Sequence, residues 1–124
     1  MKITSKVNDN SLPLSFIKKL VIKFRDERKW KKYHNPKDLA ISISIEANEL
    51  LELFQWLSKK EVLLKCKDPK FKERIEEELA DVIIYCLSLA DVLKTDISKI
   101  VVKKIKKNEE KYPVNKFKGH YYKY

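Results

Sequence analysis

The sequence predicts an all-α protein: a bundle of four main helices completed by a second copy of the chain. Composition is the first reason. One glycine and four prolines in 124 residues, with Lys, Leu, Ile and Glu abundant, suit helices better than a sheet with many turns. Periodicity is the second, because apolar residues recur at three- and four-residue intervals in several separate segments. The third concerns assembly. The run Val82–Ala90 is apolar nearly all round, more than a lone four-helix domain buries comfortably, so a dimer or tetramer is expected.

In chain order, residues 1–12 are polar and unpatterned and read as a loose arm. A helix begins near Pro13, with Ile17, Leu20, Val21 and Phe24 at core spacing, and is expected to run to about Tyr33. His34 falls in a short break. Asn35-Pro36-Lys37-Asp38 marks the next start: Asn35 caps, Pro36 suits the first turn and Asp38 complements the dipole. This second helix is expected to reach about Leu57. Residues 58–70 are Lys-rich and predict a loop with one helical turn at most. A third helix begins near Phe71 and runs to about Lys94. Asp96 caps a fourth, with Ile97, Ile100, Val101 and Ile105 facing inward, and Tyr112-Pro113 ends it. The helical domain thus spans 13–112, and residues 113–124 form a basic, aromatic tail.

Two of these helices carry the chemistry. Glu46 and Glu49 are one turn apart, roughly 60° round the helix, and Ile45, Leu53 and Trp56 interleave with them. A surface helix would separate its charges from its apolar stripe. Carboxylates embedded in apolar surface are costly unless a basic partner or a metal ion neutralises them. Glu78 and Asp81 repeat the spacing on the third helix. Glu49 and Glu78 lie at nearly equal distances from the connection between the two helices. Antiparallel packing therefore sets Glu49 level with Glu78 and Glu46 level with Asp81. Four carboxylates at one place raise one another's pKa values unless a cation joins them. Oxygen ligands alone suit Mg²⁺ or Mn²⁺, whereas zinc calls for His or Cys. Structural salt bridges to lysines are the competing reading.

The net charge of +10 suits an anionic partner, either a nucleotide or a nucleic acid. Lys103, Lys104, Lys106 and Lys107 are placed to hold phosphates. Cys66 and Cys86 lack CxxC spacing and read as reduced thiols of a cytoplasmic protein. There is no signal peptide and no apolar run of about 18 residues, so no membrane partner is expected.

The segment Phe24-Arg25-Asp26-Glu27-Arg28-Lys29-Trp30, then His34, then Glu46-Ala47-Asn48-Glu49-Leu50-Leu51-Glu52-Leu53-Phe54-Gln55-Trp56 resembles the MazG-like all-α nucleoside triphosphate pyrophosphohydrolases. More narrowly it resembles their dCTP pyrophosphatase branch. The likeness continues through Glu77-Glu78-Leu79-Ala80-Asp81-Val82-Ile83-Ile84-Tyr85, Lys104, Asn108 and Tyr112-Pro113-Val114 to Lys123-Tyr124. ExxE alone is a weak signal; followed by FQW, EExxD with a tyrosine, and N…YP, it is specific.

The resemblance implies Mg²⁺-dependent hydrolysis of an NTP or dNTP, such as dCTP or a related pyrimidine dNTP, to monophosphate and pyrophosphate. The reaction would serve house-cleaning of the nucleotide pool by a homodimer or homotetramer. It maps the metal ligands onto Glu46, Glu49, Glu78 and Asp81, with Glu49 the first choice as catalytic base. Trp30 and Trp56 match positions that line the base pocket. His34, Tyr85, Lys104 and Asn108 are further substrate contacts; Glu52 and Lys123 stand at the margin of the set. Two alternatives remain: a basic helical nucleic-acid-binding module with structural carboxylates, and a phosphoribosyl-ATP pyrophosphatase, which FQW and the YP tail fit poorly.

Overall fold

In the computed structural model, which describes residues 6–119, every regular element is helical. The chain divides into two compact units, Met1–Lys94 and Thr95–Tyr124.

In the first unit, α1 spans Leu14–Glu27. It stops short of the expected end at Tyr33. Lys29 adopts φ 56°, the left-handed conformation usually given to glycine. The Lys29 N–H donates to the Asp26 carbonyl at 3.0 Å and the Trp30 N–H to that of Arg25 at 3.1 Å, the paired closure of a Schellman end. The apolar contact that accompanies such an end is also present, with the Trp30 and Phe24 rings edge to face at 5.8 Å. No glycine or asparagine announced this stop. A 3₁₀ turn follows at Lys31–Tyr33.

Helix α2 covers Pro36–Glu52 and starts as its sequence dictates: the Asp38 N–H donates to Asn35 Oδ1 at 3.0 Å. It ends before Leu57 because the chain tightens into turns in which Leu53, Phe54 and Gln55 donate to carbonyls three residues back. The expected loop then holds a further helix, α3, Lys59–Lys65. Its signal is a capping box: Ser58 Oγ accepts from the Glu61 N–H at 3.2 Å and donates to Glu61 Oε1 at 3.1 Å. Asp68 caps α4, Pro69–Val92, accepting from the Lys70 N–H at 3.2 Å.

Helix α4 is the axis of this unit. Both α2 and α1 pack on it, α2 along the greater length. Leu39, Phe71, Leu87 and Ala90 are buried, and Phe54 meets Phe71 edge to face at 6.1 Å. Arg25 is buried too, at 4% exposure, and ties α1 to α4 through Asp91: Nη1 donates to Oδ2 at 2.8 Å. Its Nε donates to Asp26 Oδ1 at 2.9 Å. Burial opposes the charge, but the two carboxylates outweigh it and hold the guanidinium pKa above its ordinary value. Cys66 and Cys86 are half-buried free thiols. Large apolar residues stay exposed on both long helices, among them Ile41 and Ile45 on α2 and Leu79, Ile83 and Ile84 on α4.

The second unit holds α5, Ile97–Lys111, capped by Asp96, which accepts from the Lys99 N–H at 2.9 Å. A short α6, Val114–Phe117, follows, and Tyr112 meets Phe117 edge to face at 5.2 Å. Of the residues expected to face inward, Ile97 is half-buried, whereas Ile100, Val101 and Ile105 each keep about half their surface exposed. Among the described residues of its own unit, α5 has only the single turn of α6 to pack on. No helix among the described residues is long and apolar enough to cross a membrane.

Candidate active site

Two helical faces that run in opposite directions build the site. On α2, Ser42, Glu46, Glu49 and Leu53 step by four, three and four residues. On α4, Tyr85, Asp81, Glu78 and Arg74 step back by the same intervals. Steps of three and four keep each set on one face. Antiparallel packing then sets the members level in pairs.

The carboxylates of Glu46, Glu49 and Glu78 meet: each offers an oxygen, and these oxygens lie within 4.8 Å of one another. Asp81 stands close enough to act on Glu46 and Glu78 through its charge. Glu46 is pushed up to about 7, first by burial, then by its hydrogen bond to Glu49 and by the negative charge of Glu49, Asp81 and Glu78. Glu78 is raised by burial and then by Glu49. One oxygen of each, Glu46 Oε2 and Glu78 Oε2, is buried with no hydrogen-bond partner. Among the described residues no lysine or arginine forms an ion pair with any of the four. Unsatisfied buried oxygens in a set that lacks His and Cys have the chemistry of a hard divalent-cation site.

A cavity of about 320 Å³ adjoins the Ser42–Tyr85 level, lined by Trp30, Tyr33, His34, Leu39, Ser42 and Tyr85. His34 Nδ1 is buried without a partner. Burial, then the Arg25 charge, lowers the His34 pKa, which keeps the imidazole neutral at pH 7. The Schellman end of α1 delivers Trp30 to this wall. Three residues expected at the site from the sequence, Trp30, His34 and Tyr85, thus share one cavity. Trp56 is outside its lining and 85% exposed.

A second cavity, of about 420 Å³, opens at the other end of the same groove, where Lys65 and Arg74 join Glu49, Glu52 and Glu78. Tyr33, Ser42, Lys65 and Arg74 line these cavities in addition to the residues expected from the sequence. The four-three-four spacing carried Ser42 and Arg74. Lys65 depends on α3, whose only sequence signal was its capping box. Lys104 and Asn108 lie one turn apart on α5, both exposed, within the second unit. Lys123 lies outside the described residues.

A model of the MazG-like family matches residues 41–124. The chain is 37% identical to dCTP pyrophosphatase 1 of Rattus norvegicus over 111 residues, 90% of this chain and 65% of that protein. It is 34% identical to the Homo sapiens protein of the same name, over 82% of this chain and 60% of that one. It therefore spans less than two thirds of the length of these curated relatives. A solved structure of a pyrophosphatase from Archaeoglobus fulgidus superposes with TM-score 0.77 at 44% identity, covering 87% of this chain and 99% of that one. With a family model matched over most of its length and a close structural relative spanned almost end to end, the chain belongs to the MazG-like family.

Proposed function

We propose that the chain is a Mg²⁺-dependent nucleoside triphosphate pyrophosphohydrolase acting on dCTP or a related pyrimidine dNTP. The observation that carries this reading is the meeting of Glu46, Glu49 and Glu78, with two buried oxygens left unpartnered and, among the described residues, no basic residue paired to them. The names of the relatives support the reaction and the base. Glu46, Glu49, Glu78 and Asp81 would hold the cation. Bound there, Mg²⁺ supplies charge neutralisation for the triphosphate and acidifies the attacking water. Mn²⁺ suits the same oxygen set.

The chain's own groups do the rest. Glu49, the most exposed of the three converging carboxylates, takes the proton of the water that adds to the α-phosphorus. The bond from that phosphorus to the bridging oxygen breaks, and pyrophosphate leaves with the electron pair. Trp30 stacks on the base, Tyr85 reaches the sugar from the α4 side, and His34 presents a neutral imidazole edge to the base. Trp56, Lys104 and Asn108 remain candidates for contacts completed on assembly. A second copy of the chain is the proposed cover for Ile41, Ile45, Leu79 and Ile83. Sedimentation is expected to give a dimer or tetramer, and Ile83→Glu is expected to dissociate it.

Incubating a panel of NTPs and dNTPs with Mg²⁺ and identifying the products by phosphorus NMR tests the activity. Monophosphate plus pyrophosphate, fastest from a pyrimidine dNTP, supports it. Release of orthophosphate would contradict it. Salt-sensitive retention on DNA with no turnover would favour the nucleic-acid module instead.

A further inference from the structure

The mixed-charge cavity at the Leu53–Arg74 end of the groove gives the substrate a direction. Helix α3 ends at Lys65, whose ammonium lies 5.1 Å from the centre of the Phe71 ring, and Phe71 is itself buried at 6% exposure and braced by Phe54. A cation over an aromatic face is held in place without being neutralised. Arg74 precedes Glu78 by four residues, a spacing at which arginine and glutamate ordinarily pair along a helix. Here they do not. Glu78 turns instead to Glu49, and among the described residues neither Lys65 nor Arg74 forms an ion pair. Two unneutralised cations therefore border the carboxylate cluster on the side away from Trp30 and His34.

Along α2, Ser42 to Leu53 covers about 16 Å at 1.5 Å per residue, and Tyr85 to Arg74 covers the same distance along α4. An extended nucleoside triphosphate needs a groove of that order, with an aromatic end for the base, carboxylates for the metal at its middle and cations at its far end. We propose that Lys65 and Arg74 bind the β- and γ-phosphates. The substrate then lies with its base at Trp30 and Tyr85, its α-phosphate at the carboxylates and its leaving pyrophosphate between α3 and the first turns of α4. This rests on the pyrophosphohydrolase reading and deepens it, since the two cations select triphosphates over shorter nucleotides. They also steady the charge on the departing pyrophosphate, Arg74 through its planar fork and Lys65 as a point charge.

Calorimetric titration of the full chain with Mg²⁺ and inorganic pyrophosphate, and separately with dCMP, tests the assignment. Turnover of dCTP is followed alongside. Lys65→Ala and Arg74→Ala are each expected to weaken pyrophosphate binding about tenfold and to raise KM for dCTP, with dCMP binding changed less than about twofold. Lys65→Arg and Arg74→Lys should recover most of the loss. Unchanged pyrophosphate binding in both alanine variants would overturn the clamp. So would equal weakening of pyrophosphate and dCMP, which marks a general disturbance of the site. A wild-type protein that hydrolyses no triphosphate would sink the parent reading and the clamp with it. Hydrolysis by wild type with indifferent alanine variants would sink the clamp alone.

Discussion

Glu49 on α2 lies against Glu78 on α4, close enough for their carboxylates to share a hydrogen bond, with Glu46 completing a triangle of oxygens within 4.8 Å. Repulsion in that triangle opposes folding when no cation is present. Glu78→Gln removes one charge and keeps the shape. We expect it to raise the melting temperature of the metal-free protein by a few degrees and to lower Mg²⁺-dependent turnover by about 100-fold or more. Differential scanning fluorimetry in EDTA, set beside an activity assay, checks both halves. A loss of stability would mean that Glu78 is structural.

The pKa of Glu46, about 7 when folded against an ordinary 4.5, sets a pH dependence. Below 4.5 both folded and unfolded chains hold the proton. As pH rises through 7 the folded protein gives it up late, so the stability this group contributes is lost across that window. His34 acts in the opposite sense. Its lowered pKa costs stability as pH falls below its ordinary 6.5. Glu78, also raised, acts in the same sense as Glu46, and above pH 6.5 the His34 contribution is small, so the metal-free protein should gain stability on acidification from pH 8 to 6.5. Mg²⁺ affinity should fall over the same interval, because the ligands must be deprotonated. Thermal melts and Mg²⁺ titrations across pH 6–8.5 report the two trends, and Glu46→Gln should flatten both.

Arg25 and Asp91 make the buried link between α1 and α4, at 2.8 Å. Removing one partner leaves the other charge buried and unanswered. Arg25→Ala should cost about 3–5 kcal/mol in urea unfolding. The same change lets α1 drift, and with it Trp30, so KM for the nucleotide should rise in whatever fraction stays folded.

Lys94, like Lys29, has φ 56° and closes its helix in a conformation disfavoured for any residue with a Cβ. Lys94→Gly should stabilise the fold by roughly 1 kcal/mol, or about 4 °C in Tm. Lys94→Val should destabilise it, since a branched Cβ tolerates this region worst. A fluorimetric melt of the two variants decides.

How much was legible in the sequence varied with the kind of signal. The all-α class, the Asn35, Pro36 and Asp96 starts, and the Glu49–Glu78 level came from local chemistry and from counting, which tertiary structure did not disturb. The end of α1 was not legible, because a left-handed lysine does what glycine usually does. Helix α3 lies in a Lys-rich stretch where the Ser58–Glu61 pair is the one start signal and the lysines mask it. The inward face assigned to α5 came from periodicity alone, which says that a face is apolar but not what covers it. Lys65 and Arg74 stand on successive helices and share a cavity only once α3 and α4 are in place.

In the proposed mechanism the Glu46–Glu49–Glu78 cluster holds the cation that drives pyrophosphohydrolysis. Its most direct test follows dCTP with Mg²⁺ or with EDTA, for wild type and Glu49→Gln, with Mn²⁺ binding measured on the same samples by calorimetry. The wild type should give dCMP and pyrophosphate only with metal present, and the variant, at least as stable as its parent, should lose both binding and turnover. Turnover in EDTA, or a folded Glu49→Gln protein that binds metal and hydrolyses dCTP as well as wild type, would contradict it.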